Sequence, residues 1–184
     1  VKPVKPLTKD LIGPPLAQII NELLPNVHKE SLYSLVDSFK HFYDEQEYLK
    51  TTVYEGVAET LEMLRQKHID LFIVTNKRIS ATRRIVDHLG WTEWFAGIYA
   101  LDALETAAPN KPHLVAEVLR RVKLLAANTW MVGDSAEDRR SAETNALRFF
   151  AATWGYGAAL GANDVTALTE PLQLLHAAGG TAND

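Results

Sequence analysis

Between Gly56 and Ala152 the sequence switches repeatedly between two hydrophobic periods, and this alternation restricts the fold more than any other feature. The runs 69–74, 95–101, 129–132 and 147–152 are short and largely apolar, the pattern of strands covered on both faces. Helical stripes separate them. Val57, Leu61 and Leu64 line one face ahead of the first run, and Ser80 is placed to cap a helix that reaches Leu89 and stops at Gly90. Pro112 opens a third helix with Leu114, Val115, Val118, Leu119 and Val122 facing inward. Further helices are expected over 135–145 and 169–178. Strands alternating with helices predict an α/β fold, a Rossmann-like parallel sheet flanked by helices, with ligands bound beyond the carboxyl ends of the strands.

The first fifty residues have only the helical period. Leu16, Ile19, Ile20, Leu23 and Leu24 form one stripe, and Leu32, Leu35, Val36, Phe39 and Phe42 form another, so two helices are expected to pack face to face. Ahead of them the prolines of Val1-Lys2-Pro3-Val4-Lys5-Pro6 favour an extended lead-in. The tail from Gly179 to Asp184 is expected to fray.

Composition removes several function classes. A net charge of -4 without a clustered basic face argues against nucleic acid as a partner. No apolar run approaches the roughly 18 residues of a membrane span, so the chain reads as soluble and without a membrane partner. The absence of cysteine excludes disulfides and thiolate metal sites and fits a cytoplasmic location. The six histidines have no metal-ligand spacing, and the oligomeric state is left open.

Three polar segments stand where strands end. Thr75-Asn76-Lys77-Arg78 follows the first apolar run and offers a hydroxyl, an amide and backbone N–H groups to phosphate oxygens; it also reads as an ordinary capped turn. Asn110-Lys111-Pro112 puts a lysine at a helix start, where a solvated surface side chain is the common alternative. Met131-Val132-Gly133-Asp134-Ser135-Ala136-Glu137-Asp138 delivers one carboxylate at a strand end and a second one turn later, a pair that a hard cation would hold together. Ser135 with Asp138 equally matches a capping box.

Taken in order, strand-Thr, Lys-Pro and strand-Gly-Asp-x-x-x-Asp resemble the last three signature motifs of the haloacid-dehalogenase (HAD) superfamily. The likeness is nearest to its phosphoglycolate-phosphatase-like branch. Leu11-Ile12-Gly13-Pro14-Pro15-Leu16 resembles that branch's cap substrate loop, Val53-Tyr54-Glu55-Gly56-Val57 its return from cap to core, and Trp154-Gly155-Tyr156-Gly157 the segment after the last core strand. The resemblance implies a partial helical cap over residues 1–51 and a HAD-like core over 52–184. It implies phosphate binding by Thr75, Asn76 and Lys111, with Thr75 and Lys111 catalytic, and Mg²⁺ binding by Asp134 directly and Asp138 indirectly. Substrate-loop roles fall to Gly13, Pro14 and Arg78, and the substrate would be a small phosphorylated metabolite.

The family's first motif is a strand ending in Asp-x-Asp-Gly-Thr, whose first aspartate is the nucleophile. No two of the ten aspartates here stand at positions i and i+2. The resemblance therefore implies a core lacking its first strand, a weakened metal site and negligible phosphatase activity for the chain as written. A longer native chain, a strand supplied by another chain and a sheet that closes up are the three ways to fill the gap. Against a Mg²⁺-dependent phosphoric monoester hydrolase stands a non-catalytic HAD-like binding or scaffold domain. A doubly wound domain of another kind is a third reading, and neither Gly-x-Gly-x-x-Gly nor Gly-x-x-x-x-Gly-Lys is present to support its nucleotide-binding forms.

Overall fold

The computed structural model describes residues 2–8, 11, 14, 16–45, 47–103, 108–156 and 166–179. At the amino end α1 (Leu16–Leu23) and α2 (Lys29–Glu45) form a helical hairpin. The two helices touch and Leu23 is buried, but Leu35, Phe39 and Phe42 on the α2 stripe remain 39%, 48% and 60% exposed. The reason is length. α1 has 8 residues against the 17 of α2, so two turns cannot cover a stripe that runs for more than four.

The alternating part then unfolds as expected in order, with corrections at the ends. It consists of α3 (Val57–Gln66), β1 (Phe72–Thr75), α4 (Ile79–His88), β2 (Gly97–Ala100), α5 (Lys111–Val122), β3 (Trp130–Gly133), α6 (Ala136–Thr144), β4 (Arg148–Ala152), β5 (Ala167–Leu168) and α7 (Gln173–Gly179). β1 starts three residues after Ile69 because the Ile69 N–H still closes the end of α3 on the Leu64 carbonyl at 3.1 Å. Ser80 is not the cap of α4. Arg78 holds that position, Ser80 Oγ accepts from the Arg78 guanidinium at 3.2 Å, and the Ile79 N–H is capped from a distance by the Asp102 carboxylate at 3.0 Å. The closing helix begins at Gln173 and not Thr169, since Ala167 and Leu168 pair with β4, and Gln173 Oε1 accepts from the Thr169 and Glu170 N–H groups at 2.7 and 3.2 Å.

All strand pairs are parallel. Phe72 to Thr75 of β1 face Gly97 to Ala100 of β2, Trp130 to Gly133 of β3 face Arg148 to Ala151 of β4, and Ala151 and Ala152 face Ala167 and Leu168 of β5. The result is two sheets, β2-β1 and β3-β4-β5, with no hydrogen bonds joining β1 to β3 among the described residues. Phe149 and Ala151 of β4 and Ala142 of α6 form a tight core with Met131, Leu147 and Ala167 packed against it. β4 is thus buried on both faces. β1 is only half-buried along its whole length, because it borders a cavity of about 840 Å³ that separates the two sheets. Leu61 and Leu64 of α3 and Val115 and Val118 of α5 wall this cavity.

No helix among the described residues is long and apolar enough to cross a membrane.

Candidate active site at the strand ends

The polar rim is assembled from four loops, each fixed by a local interaction. Thr75 is the last residue of β1, and its Oγ accepts the Lys77 N–H at 3.0 Å. That bond folds the chain into a tight turn and leaves the hydroxyl proton of Thr75 to serve as a donor. Asn110 caps α5 by accepting the His113 N–H at 3.1 Å, and Pro112 occupies the first turn, where its missing N–H costs nothing. Lys111 is thereby set at the amino end of α5, with its side chain 12% exposed.

Ser135 and Asp138 form a reciprocal capping box at the start of α6. The Asp138 Oδ2 accepts from the Asp134 N–H at 3.2 Å, the Ser135 N–H at 3.1 Å and the Ser135 hydroxyl at 2.7 Å. Its other oxygen forms an ion pair with Lys111, and the Asp138 side chain is only 8% exposed. Asp138 therefore does both things that the sequence left open as alternatives: it serves the helix start, and it joins the polar centre. Four donors use the acceptor capacity of one carboxylate. The pair is buried, and the Asp138 carboxylate accepts hydrogen bonds on both oxygens, as a buried charge requires.

Asp134 follows β3 and points toward the loop after β4, where its Oδ2 accepts the Tyr156 N–H at 2.9 Å. Two glycines make room. A Cβ on Gly133 would overlap the Asp138 carboxyl group, and a Cβ on Gly155 would overlap the Asp134 carboxylate. Both positions are close-approach glycines, at which the backbone touches a functional side chain.

One further bond ties the two sheets together at this end. The Asn76 side-chain amide donates to the Glu137 carboxylate at 2.5 Å, linking the turn after β1 to the first turn of α6 after β3. Lys77 reaches away from the rim toward the hairpin, donating to the Tyr43 hydroxyl at 3.1 Å with its ammonium 4.9 Å from the ring centre. Glu137 and Tyr43 were not singled out from the sequence. Glu137 lies 61 residues from its partner and Tyr43 lies 34 from its own, so no local spacing announced either contact.

Lys111, Asp134 and Asp138 line the same cavity, together with Val74, the neighbour of Thr75. Arg78 caps α4 beside this turn, Pro14 lies in a bend ahead of α1, and Gly13 falls outside the described residues. The donor set for a hard cation is small. Asp138 is saturated, Asp134 stands as one carboxylate, and no group of three or more metal-binding side chains occurs among the described residues. Mg²⁺ takes six oxygen ligands, several of them water, and is held by one or two carboxylates together with substrate phosphate, so Asp134 can supply one ligand and the others must come from water, a bound phosphate or further carboxylates. Lys111, with its ammonium paired to Asp138, and Asp134 line the cavity, whereas Thr75 and the turn after it are not among its lining residues.

Comparison with known proteins gives the family. Residues 5–152 match the family model of haloacid dehalogenase-like hydrolases. A phosphoglycolate phosphatase of Photobacterium profundum is 30% identical over 146 residues, covering 79% of this chain and 63% of that protein. A phosphoglycolate phosphatase of Rhodobacter capsulatus is 35% identical over 105 residues, covering 57% of this chain and 47% of that protein. The chain thus spans about half to three-fifths of the length of these curated relatives. In fold it is similar to a haloacid dehalogenase-like hydrolase of Streptococcus pneumoniae, with a TM-score of 0.78 at 22% identity over 95% of this chain and 83% of that one. With the family model covering most of its length, the chain belongs to the haloacid dehalogenase-like hydrolases.

Proposed function

We propose that this chain carries the phosphate-binding half of a phosphoric monoester hydrolase of the phosphoglycolate phosphatase type, acting on small phosphorylated metabolites in the cytoplasm. The observation that carries the reading is the placement of Lys111, Asp134 and Asp138 on one cavity at the carboxyl ends of β1 and β3. In this reading the Thr75 hydroxyl and the Asn76 N–H hold phosphoryl oxygens. Lys111, kept in place by Asp138, neutralises the charge that grows on them. Asp134 offers a carboxylate to Mg²⁺, whose other ligands would be water, the substrate phosphate and carboxylates from elsewhere. Residues 1–51 act as a cap, joined to the rim through Tyr43 and Lys77.

The reaction also needs a nucleophile, and the 184 residues contain no Asp-x-Asp. Loss of a covalent nucleophile costs on the order of 10⁶ in turnover, so the chain as written is expected to be silent. The decisive experiment extends it at the amino end with a strand ending in Asp-x-Asp-Gly-Thr and assays small phosphate esters with Mg²⁺. Hydrolysis that is lost in Thr75→Ala and Lys111→Ala supports the reading. Silence across esters, in a chain shown to be folded, overturns it.

A second reading, a non-catalytic domain of the same fold, is favoured by the saturation of Asp138. It predicts that the extended chain binds phosphate and never turns over.

A further inference from the structure

We infer that Glu137 is a positioning residue for the proposed phosphate site: acting through the Asn76 side chain, it holds the turn after β1 at a set distance from Lys111. The inference rests on the phosphate-binding reading of Thr75 and Asn76 given above, and it assigns a role to an x position of the Gly-Asp-x-x-x-Asp segment.

The two halves of the proposed site stand on different sheets. Thr75 and Asn76 lie at the end of β1, whereas the Lys111 ammonium is held by Asp138 of α6, the helix after β3. No hydrogen bond joins β1 to β3 among the described residues, so sheet pairing does not fix how far apart these groups lie. A phosphate group shared between them needs that separation held to within about 0.5 Å.

The bonds at the turn differ in what they can fix. The Lys77 N–H bond to Thr75 Oγ is internal to the turn. The Ile79 N–H is held by Asp102, which follows β2 and so belongs to the same sheet as β1. Both shape the turn without relating it to β3. Lys77 Nζ reaches Tyr43 in the hairpin. The Asn76 amide, by contrast, donates to the Glu137 carboxylate at 2.5 Å and crosses from one half of the site to the other.

Of the two partners, Glu137 has the firmer footing. It lies in the first turn of α6, where the free N–H groups of a helix favour a carboxylate, and its carbonyl accepts the Ser141 hydroxyl at 2.7 Å. Ser141 and Ala142 have no exposed surface, and Ala142 packs against Phe149 and Ala151 of β4. β1 is only half-buried along its length, so α6 sets the turn and not the reverse. Asn76 and Glu137 are themselves half-buried, and a hydrogen bond to a charged acceptor with little competing water is among the stronger kinds. A carboxylate repels phosphate, so any gain that Glu137 brings to phosphate binding comes from the placement of Asn76 and not from contact.

The test is a titration of the isotope-labelled 184-residue chain with inorganic phosphate, followed at the backbone amide signals of Asn76, Lys77 and Lys111. Saturable shifts are expected in the parent chain. Glu137→Ala, checked for an unchanged circular dichroism spectrum, should weaken phosphate binding about tenfold, a factor within the usual value of one hydrogen bond to a charged group. Glu137→Gln keeps an acceptor and should bind as the parent does, or slightly more tightly now that the repelling charge is gone. Asn76→Ala should match Glu137→Ala, and the double variant should be no weaker than either. A general loss of packing would be neither rescued by glutamine nor masked by the change at Asn76.

Unchanged affinity in Glu137→Ala overturns the inference and leaves the phosphate reading standing. A Glu137→Gln variant as weak as Glu137→Ala does the same by assigning the effect to charge, and so do additive losses in the double variant. If Glu137→Ala does not fold, Asn76→Ala carries the test, and parent-like affinity there overturns the inference. A parent chain whose amides do not respond to phosphate refutes the phosphate reading itself, and this inference with it.

Discussion

Lys111 and Asp138, 27 residues apart in the chain, meet as a buried ion pair at the mouth of the cavity, and the same aspartate closes the capping box of α6. One carboxylate thus fixes a helix start and immobilises the cation that faces the opening. Immobilisation matters because a positioned charge in a water-poor site acts on a ligand without having to reorganise.

Breaking that pair should cost stability. Lys111→Met leaves Asp138 buried without its counter-charge, with an expected loss of about 3 kcal/mol in urea unfolding. Asp138→Asn should cost a similar amount, and the double variant should lose clearly less than the sum of the two. Additive losses would show that the two side chains are not coupled.

The two close-approach glycines should tolerate no side chain. A methyl group at Gly133 meets the Asp138 carboxyl, and one at Gly155 meets the Asp134 carboxylate. Gly133→Ala and Gly155→Ala are each expected to lower stability by about 1–3 kcal/mol, the range for overpacking. Unchanged urea midpoints would show that the strand-end loops relax freely.

Asp102 caps α4 from 23 residues away. Asp102→Ala should cost about 1 kcal/mol, the usual value of a lost helix cap, while Asp102→Asn should retain most of it. The measurement is thermal unfolding. Equal loss in both variants would point to the charge and not to the hydrogen bond.

On α5, Glu117 accepts from Arg120 at 2.7 and 2.8 Å and from Arg121 at 2.5 Å, and these bonds, Arg120 first, bring its carboxyl group from an ordinary 4.5 to about 2. A lowered folded-state value stabilises the fold above the unfolded value and is lost as protons are added. The contribution of Glu117 should therefore be complete above about pH 4.5 and disappear on the way down to about pH 2. The stability difference between the parent chain and Glu117→Gln, followed by urea unfolding against pH, should be flat above this window and shrink within it. A difference independent of pH would refute the assignment.

The parts of this protein legible in its sequence are those set by neighbours within about one helical turn. The stripes of α3 and α5, the apolar runs of β3 and β4, the Asn110 cap and the Ser135–Asp138 box all depend on residues no more than four positions apart, or on a repeat of fixed period. The motif residues were legible as a set because their order along the chain resembles a family, although the meeting of Lys111 with Asp138 was not a local property. Tertiary structure alone decided the rest. Asp102 became the cap of α4, Asn76 met Glu137 and Lys77 met Tyr43 because packing brought together donors and acceptors that share no spacing. β5 formed at Ala167 and Leu168 because β4 offered an edge, and no period can be read from two residues. The half-buried state of β1 has the same origin. Its apolar run promised two covered faces, but burial depends on what lies across the sheet, and across from β1 lies the cavity.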